Sequence, residues 1–247
     1  MDTESGQMKK FILEKYKFRT ELHAHTSPVS SCGDFAPDEV IRRYAKIGYN
    51  AIAITNHFTY QYRFERFSKE PTAEEFVEWY MSDFYAAEEA GKKYGVNVIL
   101  GAELRFSENQ NDYLAYGIDE DTLLEIYDRL PYGIAEFRNS DRLKGILLIQ
   151  AHRFRDNMED IDPMYVDGIE TFNMHNGHNS RIGKTVKFAK DNNIKIMTAG
   201  SDFHHDGGEG MAALRTKVMP RDSYELADIL RNGDYALEIA ENSVILP

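Results

Sequence analysis

The chain of 247 residues contains a single cysteine, Cys32. No disulfide can form within it, which suits a reducing cytoplasm better than a secreted scaffold. It has no uninterrupted apolar run of the roughly 18 residues that a membrane-spanning helix needs. Its first residues, MDTESGQMKKFILEKYKF, hold no apolar core of signal-peptide length. A cytoplasmic protein without a membrane segment is therefore expected. Basic residues are scarce as well: 29 Lys and Arg stand against 41 Asp and Glu, a formal net charge of −12. That balance argues against binding along a nucleic-acid backbone, which rests on Lys and Arg. A small anion, needing only a local basic site, is not excluded. Glycine and proline are unremarkable at 17 and 7 residues, and there is no low-complexity run or Pro/Ser-rich linker. Fibrous and disordered classes are excluded, and one domain over residues 1–247 is expected.

What is there is alternation. FRTELHAH reads as a first strand, followed by AIAITNH (51–57), NVILGAEL (97–104), DYLAYGID (112–119), GILLIQAH (145–152), DGIETFNM (167–174) and NIKIMTAGSD (193–202), with YALEIA (235–240) last. Several are short apolar runs with β-branched residues, as strands buried on both faces tend to be. The stretches between them look helical. PDEVIRRYAKIG opens on Pro37, Asp38 and Glu39 and closes at Gly48, and TAEEFVEWYMSDFYAAEEAGKKYG spaces Phe76, Tyr80, Phe84 and Ala87 helically before Gly95. Asp222 and Glu225 resemble a capping box. Repeated strand–helix units predict an α/β fold of parallel strands joined by crossovers, a barrel related to the (β/α)₈ type, with a doubly wound open sheet as the alternative.

The histidines fall where that fold would gather them. His23 and His25 end the first predicted strand, His57 the second and His152 the fifth, while His175 follows the sixth; Glu103 ends the third, and Asp202 and His204 follow the seventh. In a parallel barrel the C-terminal strand ends meet on one face. Imidazole with carboxylate suits Zn²⁺, Mn²⁺ or Fe²⁺. Residues i and i+2 of a strand point the same way, so His23 and His25 can reach one ion, and Asp202 with His204 repeats the device. A carboxylate such as Glu103 can bridge two ions. With one cysteine, a thiolate-rich structural zinc site is excluded, which leaves an open, catalytic type of site. A lone strand-end histidine is more often a packing residue, so the metal reading rests on the paired motifs. His175 and His178 look loop-borne, one a candidate ligand and the other a substrate or surface group; His205 is read as a surface residue, and Cys32 as a small buried residue in the loop next to the site. Glu21, two before His23, is expected to share its face and support it.

ELHAHT, AIAITNH, GAELRF, IQAH, GIETFN and GSDFHH, in this order from about residue 19 to 205, resemble the PHP family, named for polymerase and histidinol phosphatase. The resemblance implies a distorted TIM-like (β/α)₇ barrel. It also implies that His23, His25, Glu103 and Asp202 hold one metal, that Glu103 bridges to a second held by His152, and that His57 and His204 hold a third. Three positions depart from the family pattern. Asn56 stands where Asp usually precedes the second-strand histidine. Ser31 stands where trinuclear members often have another histidine, and no histidine lies between Glu103 and His152, a gap His175 could fill in space. Two divalent ions are the central expectation, and three the upper bound.

The resemblance implies a metal-dependent hydrolase of phosphoric esters. The expected reaction is hydrolysis of a small phosphate monoester, of the histidinol-phosphate or nucleotide phosphatase kind, through a metal-bound hydroxide. Arg105 lies two residues past Glu103, and Arg153 and Arg155 follow His152 directly; of these, Arg105 and Arg153 are the chosen candidates to grip the phosphate, and Arg181 is another. His204 or His175 could protonate the leaving oxygen. A phosphodiesterase or 3′–5′ exonuclease acting on nucleotides or oligonucleotides is the alternative, and an inactive metal-binding regulatory module the second. The expected partner is a small phosphorylated substrate, with neither long nucleic acid nor membrane.

Overall fold

Apolar runs bounded by turn residues become strands here, and amphipathic stretches closed by caps become helices. The computed structural model describes residues 4–241 and 243–247. In chain order the elements are α1 (Glu4–Lys15), β1 (Phe18–Ala24), α2 (Pro37–Lys46), β2 (Ala51–Ile54), β3 (His57–Thr59), α3 (Tyr62–Glu65), α4 (Ala73–Tyr94), β4 (Asn97–Leu100), β5 (Ala102–Arg105) and β6 (Tyr113–Tyr116). There follow α5 (Glu120–Arg129), α6 (Gly133–Asn139), β7 (Leu147–Gln150), β8 (Gly168–Asn173), α7 (Ile182–Asp191), β9 (Ile196–Gly200), β10 (Ala212–Thr216), α8 (Ser223–Asn232), β11 (Ala236–Ile239) and β12 (Ser243–Ile245).

The described strands form two mixed sheets of six, in the orders β12-β11-β10-β1-β2-β4 and β3-β5-β6-β7-β8-β9. Two seams join them. At one, β2 bends into β3 and β4 into β5, and the chain keeps its pairing across the bend: Gly101 N donates to Ile54 O at 3.0 Å and Glu103 N to Asn56 O at 3.0 Å. At the other, β1 meets the segment after β9, where His25 N donates to Phe203 O and Phe203 N to His23 O, both at 3.1 Å. The α/β class is as expected, but two expected strands, AIAITNH and NVILGAEL, are each broken in two. Gly101 marks the second break: a Cβ there would stand 2.7 Å from Thr55 Cγ2, so the close crossing needs glycine.

The all-parallel expectation is corrected. β6 runs antiparallel to both β5 and β7, because residues 106–112 are too few for a helical crossover and permit only a hairpin-like return. β10, which was not expected as a strand, pairs antiparallel with β1 and β11. The capping expectation is half met. Asp222 accepts from Glu225 N at 2.8 Å, but the Glu225 carboxylate turns to Arg221 N at 2.7 Å instead of to its own cap. A complete box stands at α4 between Thr72 and Glu75, and Gly95 ends that helix at φ 75°.

Strand side chains Leu22, Ile99, Leu114, Ile149 and Leu214 pack with Leu226 and Leu230 of α8 in one core. Val40, Ile41 and Tyr44 of α2 cover Ile52 and Ile54 of β2 in a second. A third lies under α4 to α6, where Phe76 is fully buried with its ring 5.0 Å from Phe58 and 5.2 Å from Tyr127. Phe76→Ala should cost about 3–5 kcal/mol, read as a lower urea midpoint at unchanged slope. A loss well under 1 kcal/mol would mean that this core collapses to fill the space.

Candidate metal centre

Strand ends deliver the site. His23 and His25 sit at the end of β1, where a register shift between Glu21 and Ala24 marks a bulge. The register of β3 on β5 sets His57 directly opposite Glu103. His152 follows β7, and Asp202 and His204 follow β9. His152 and Asp202 both take left-handed backbone, at φ 28° and 50°, a conformation found disproportionately at functional sites. All seven predicted metal ligands come together. The predicted catalytic residues divide: Arg105 and His175 border the same cavity as the ligands, whereas Arg153 does not.

Glu103 is central. Its Oε1 lies 3.3 Å from His23 Nε2 and 3.1 Å from His152 Nε2, and its Oε2 lies 3.4 Å from His25 Nε2 and 2.8 Å from His57 Nδ1. Asp202 Oδ1 stands 3.4 Å from His23 Nε2, 3.5 Å from His25 Nε2 and 3.3 Å from His204 Nδ1. Donors about 2.1 Å from a tetrahedral zinc are about 3.4 Å apart, the separation found among His23, His25, Glu103 and Asp202. Among the described residues, groups with the spacing to hold a cation include His23 with His25 and Glu103; His25 with His57 and His204; and His57 with Glu103 and Asp112.

The surrounding hydrogen bonds fix the histidine tautomers. His23 Nδ1 donates to Glu170 Oε1 at 2.8 Å, which turns the Nε2 lone pair toward Glu103 and Asp202. Glu170 Oε2 also accepts from His152 N at 3.2 Å and Asn173 Nδ2 at 2.9 Å. His204 Nδ1 donates to Asp202 O at 2.9 Å, leaving its Nε2 a lone pair. Glu21 acts differently from expectation. The bulge breaks the alternation, and Glu21 holds backbone: Oε1 accepts from Leu22 N, His23 N and Ser201 N at 2.9–3.0 Å, and Oε2 from Tyr44 Oη at 3.0 Å. Burial pushes its pKa up to about 7, against these hydrogen bonds. Asn56 holds the residue after His25: its Oδ1 accepts from Thr26 N at 2.7 Å and its Nδ2 donates to Thr26 Oγ1 at 2.8 Å.

A cavity of about 240 Å³ opens over Glu103, Asp202 and the histidines, and a second of about 330 Å³ adjoins it, sharing Cys32, His57 and Arg105. Gln61, Tyr62 and Glu65, from the segment that follows His57, line the second. Arg105 is pinned by Asp112 through bonds of 2.7 and 2.6 Å. Arg153 turns away. It donates to Gln150 Oε1 and to Ile161 O at 2.9 Å, and stacks over Phe188 at 4.0 Å. Arg155 stands in the cavity instead, donating to Asp202 Oδ2 at 2.5 Å and Asn173 Oδ1 at 2.9 Å. Arg181 is spent on Phe154 O and Asp156. Cys32, expected to be buried, is exposed and borders both cavities.

The electrostatics suit a cation. Burial alone would raise the pKa of Glu103 and of Asp202, but the imidazoles around them, His23 foremost, hold both well below the usual carboxylate range. Burial, with His204 and His57 beside it, keeps His25 well below the usual imidazole value and so neutral, the form that ligates. Burial lowers His175 to about 4, and Gly177 N donates to its Nδ1 at 2.8 Å; the ring is neutral near pH 7 with its proton on Nε2. His23 Nε2, His25 Nε2, His57 Nδ1 and Glu103 Oε2 are buried without a hydrogen-bond partner among the described residues. Such orphaned groups are costly unless something else meets them. A divalent cation would meet all four, so the donor set fits metal.

Glu170 and Asp112 were not singled out from the sequence, and Arg155 was noted after His152 but ranked behind Arg105 and Arg153. An acidic residue within the apolar run GIETFN is a signal for the first. Asp112 opens a strand, which says little, and nothing in the string HRFR separates Arg155 from Arg153.

The PHP domain family matches residues 21–241, and the chain belongs to that family. Among solved structures, it is similar to a two-domain protein from Bacteroides vulgatus described as containing a predicted PHP-like metal-dependent phosphoesterase. The TM-score is 0.58 at 17% identity, over 90% of this chain and 65% of that one. It is similar also to PsfC from Pseudomonas syringae, with a TM-score of 0.57 at 18% identity over 93% and 91% of the two chains. At these identities the likeness is one of fold. The chain spans 65% of the Bacteroides protein's length, so what that whole protein does does not carry over by length alone. No curated protein matches the chain.

Glu170→Gln keeps the shape beside His23 but removes the carboxylate that accepts from its Nδ1. Zinc affinity should fall about 10–100-fold, measured by competition with a chromogenic chelator. Unchanged affinity would show that Glu170 does not set the His23 ring.

Proposed function

We propose that this PHP-family chain is a metal-dependent phosphoesterase that hydrolyses a small phosphate monoester. The observation that carries the reading is Glu103, whose two oxygens face different histidines, as a carboxylate shared by two cations would. His23, His25, Glu103 and Asp202 would hold one ion, and Glu103, His152 and Asp112 a second. Bound there, Zn²⁺, Mn²⁺ or Fe²⁺ would supply charge to stabilise the phosphoryl oxygens and to activate the attacking water.

The rest falls to the chain. Arg155 Nη2, 2.5 Å from Asp202 Oδ2, is held where it can donate to a phosphoryl oxygen. Arg105, held by Asp112, presents a second cationic group across the cavity. His175 is neutral, so it is a hydrogen-bond donor through Nε2 toward the leaving oxygen and not a proton reservoir; the proposed proton source for that oxygen is His204, as expected. The adjoining cavity with Tyr62, Gln61 and Glu65 would take the leaving group. Arg153 is dropped from the proposed catalytic set because its guanidinium is committed elsewhere.

Two features favour a monoester over a diester or a nucleic-acid strand. The cavity over the metal donors is small at about 240 Å³, and the chain carries a net charge of −12, against long polyanions. We further read the two seams as the closure of a distorted seven-unit barrel in a single domain, and the lone cysteine as fitting a cytoplasmic setting. The described helices include none long and apolar enough to cross a membrane.

Protein purified without chelator should carry about two ions per chain and, with Mn²⁺ added, turn over p-nitrophenyl phosphate but not its bis ester. Turnover of the bis ester alone would favour the phosphodiesterase, and metal-loaded protein without any turnover the binding module. Asp202→Ala should lose metal and turnover together; activity that survives it would overturn the ligand assignment.

Arg155→Ala should raise KM for the monoester by about tenfold or more, the loss of a charged hydrogen bond of about 1.5–3 kcal/mol. An unchanged KM would remove Arg155 from the substrate site.

A further inference from the structure

Asp112 is 2% exposed and lines the cavity over the metal donors. It faces two ways. Toward the centre, its Oδ2 lies 3.7 Å from His152 Nε2, and Asp112 has the spacing to share a cation with His57 and Glu103. Toward the rim, Arg105 takes both of its oxygens: Nε donates to Oδ1 at 2.7 Å and Nη2 to Oδ2 at 2.6 Å. The oxygen that faces His152 is therefore the one that Arg105 Nη2 already holds.

Those two uses of Oδ2 compete. A guanidinium and a divalent cation on one carboxylate oxygen would stand close together, and like charges repel strongly in a site shielded from water. Arg105 has a way to yield. Its Nε bond goes to the other oxygen, Oδ1, and its Nη1 donates to Gln110 Oε1 at 3.2 Å. The guanidinium thus keeps two anchors when the Nη2 bond opens. Its side chain is 25% exposed and borders both cavities, so Nη2 turns into open space and not into packed side chains.

We propose that Arg105 gates the second cation: its Nη2 occupies Asp112 Oδ2, the cation enters as that bond opens, and the opened bond frees Nη2 for a phosphoryl oxygen. The proposal rests on the reading of Glu103, His152 and Asp112 as donors to that cation. It makes the second ion weaker than the first, which Arg105 does not contest at His23, His25, Glu103 and Asp202. It also couples metal to substrate. An anion that takes Nη2 favours the second cation, and the second cation favours the anion by the same factor.

The test is calorimetric titration of metal-free protein with Mn²⁺ in phosphate-free buffer. Wild-type protein should bind in two steps, the second weaker. Arg105→Gln should tighten the second step about tenfold or more, as loss of a charged hydrogen bond to the competing group implies, and leave the first unchanged. Equal tightening of both steps would be a plain loss of positive charge and overturns the gate, as does a second step that is unchanged, weaker or absent. Asp112→Asn should lose the second step and keep the first, which also shows that the variant is folded; a retained second step overturns the role of Asp112. Inorganic phosphate should tighten the second step more in wild-type protein than in Arg105→Gln, and an equal response overturns the coupling. Each of these failures leaves the first ion at Glu103 standing. Wild-type protein that binds no Mn²⁺ overturns the Glu103 reading, and this inference with it.

Discussion

Two carboxylates, Glu103 and Asp202, are buried to within 2% of complete exclusion from solvent, and the site depends on how they are neutralised. An isolated buried carboxylate would take up a proton. Here each is ringed by imidazole nitrogens at 2.8–3.5 Å, and Arg155 closes on the far oxygen of Asp202. The surroundings keep both ionised. This is the state a cation requires, and His23 Nε2, His25 Nε2 and His57 Nδ1 face these carboxylate oxygens without a hydrogen bond. Secondary structure around the site serves that constraint: strands stop, bend or bulge where a donor must turn inward.

The bulges show how. A register shift in β1 between Glu21 and Ala24, and another in β8 between Glu170 and Phe172, interrupt the alternation of faces. Without the first, Glu21 and His23 would compete for the same side. With it, Glu21 turns to the backbone of Ser201 and to Tyr44, and His23 faces Glu103. Gly200 completes the fit. A Cβ there would sit 2.4 Å from Glu170 Oε1 and 2.5 Å from His23 Cβ, so the close approach of β9 to the His23–Glu170 pair requires the missing side chain.

Much of the centre was legible because metal sites use local rules. The i, i+2 spacing of His23 and His25 and of Asp202 and His204, and their places at the ends of apolar runs, need no knowledge of the fold beyond strand direction. What could not be read depends on which strands become neighbours. Glu170 meets His23 only because β9 brings β8 toward β1. Asp112 reaches His152 only because β6 runs antiparallel, which the expectation of uniform crossovers missed. The choice between Arg153 and Arg155 turns on backbone direction after His152, where φ is 28°, a value invisible in the string HRFR. Cys32 shows another limit: it was read as buried, but its exposure depends on a loop whose shape is set by contacts with Ser30, Asp34 and His204.

Stability and function pull against each other at this centre. The unpartnered nitrogens of His23, His25 and His57 and the left-handed backbone at His152 and Asp202 are each unfavourable, and they sit within one cluster where their costs reinforce. In the metal-free chain the cores under α2, α4 and α8 must offset them. A bound cation reverses the sign, because it satisfies the orphaned donors at once and binds only the folded arrangement. The centre is thus preorganised at the expense of the metal-free fold, and metal occupancy becomes a structural term as well as a chemical one. A bound cation would add to the neutralisation that the surrounding imidazoles and Arg155 already give Glu103 and Asp202.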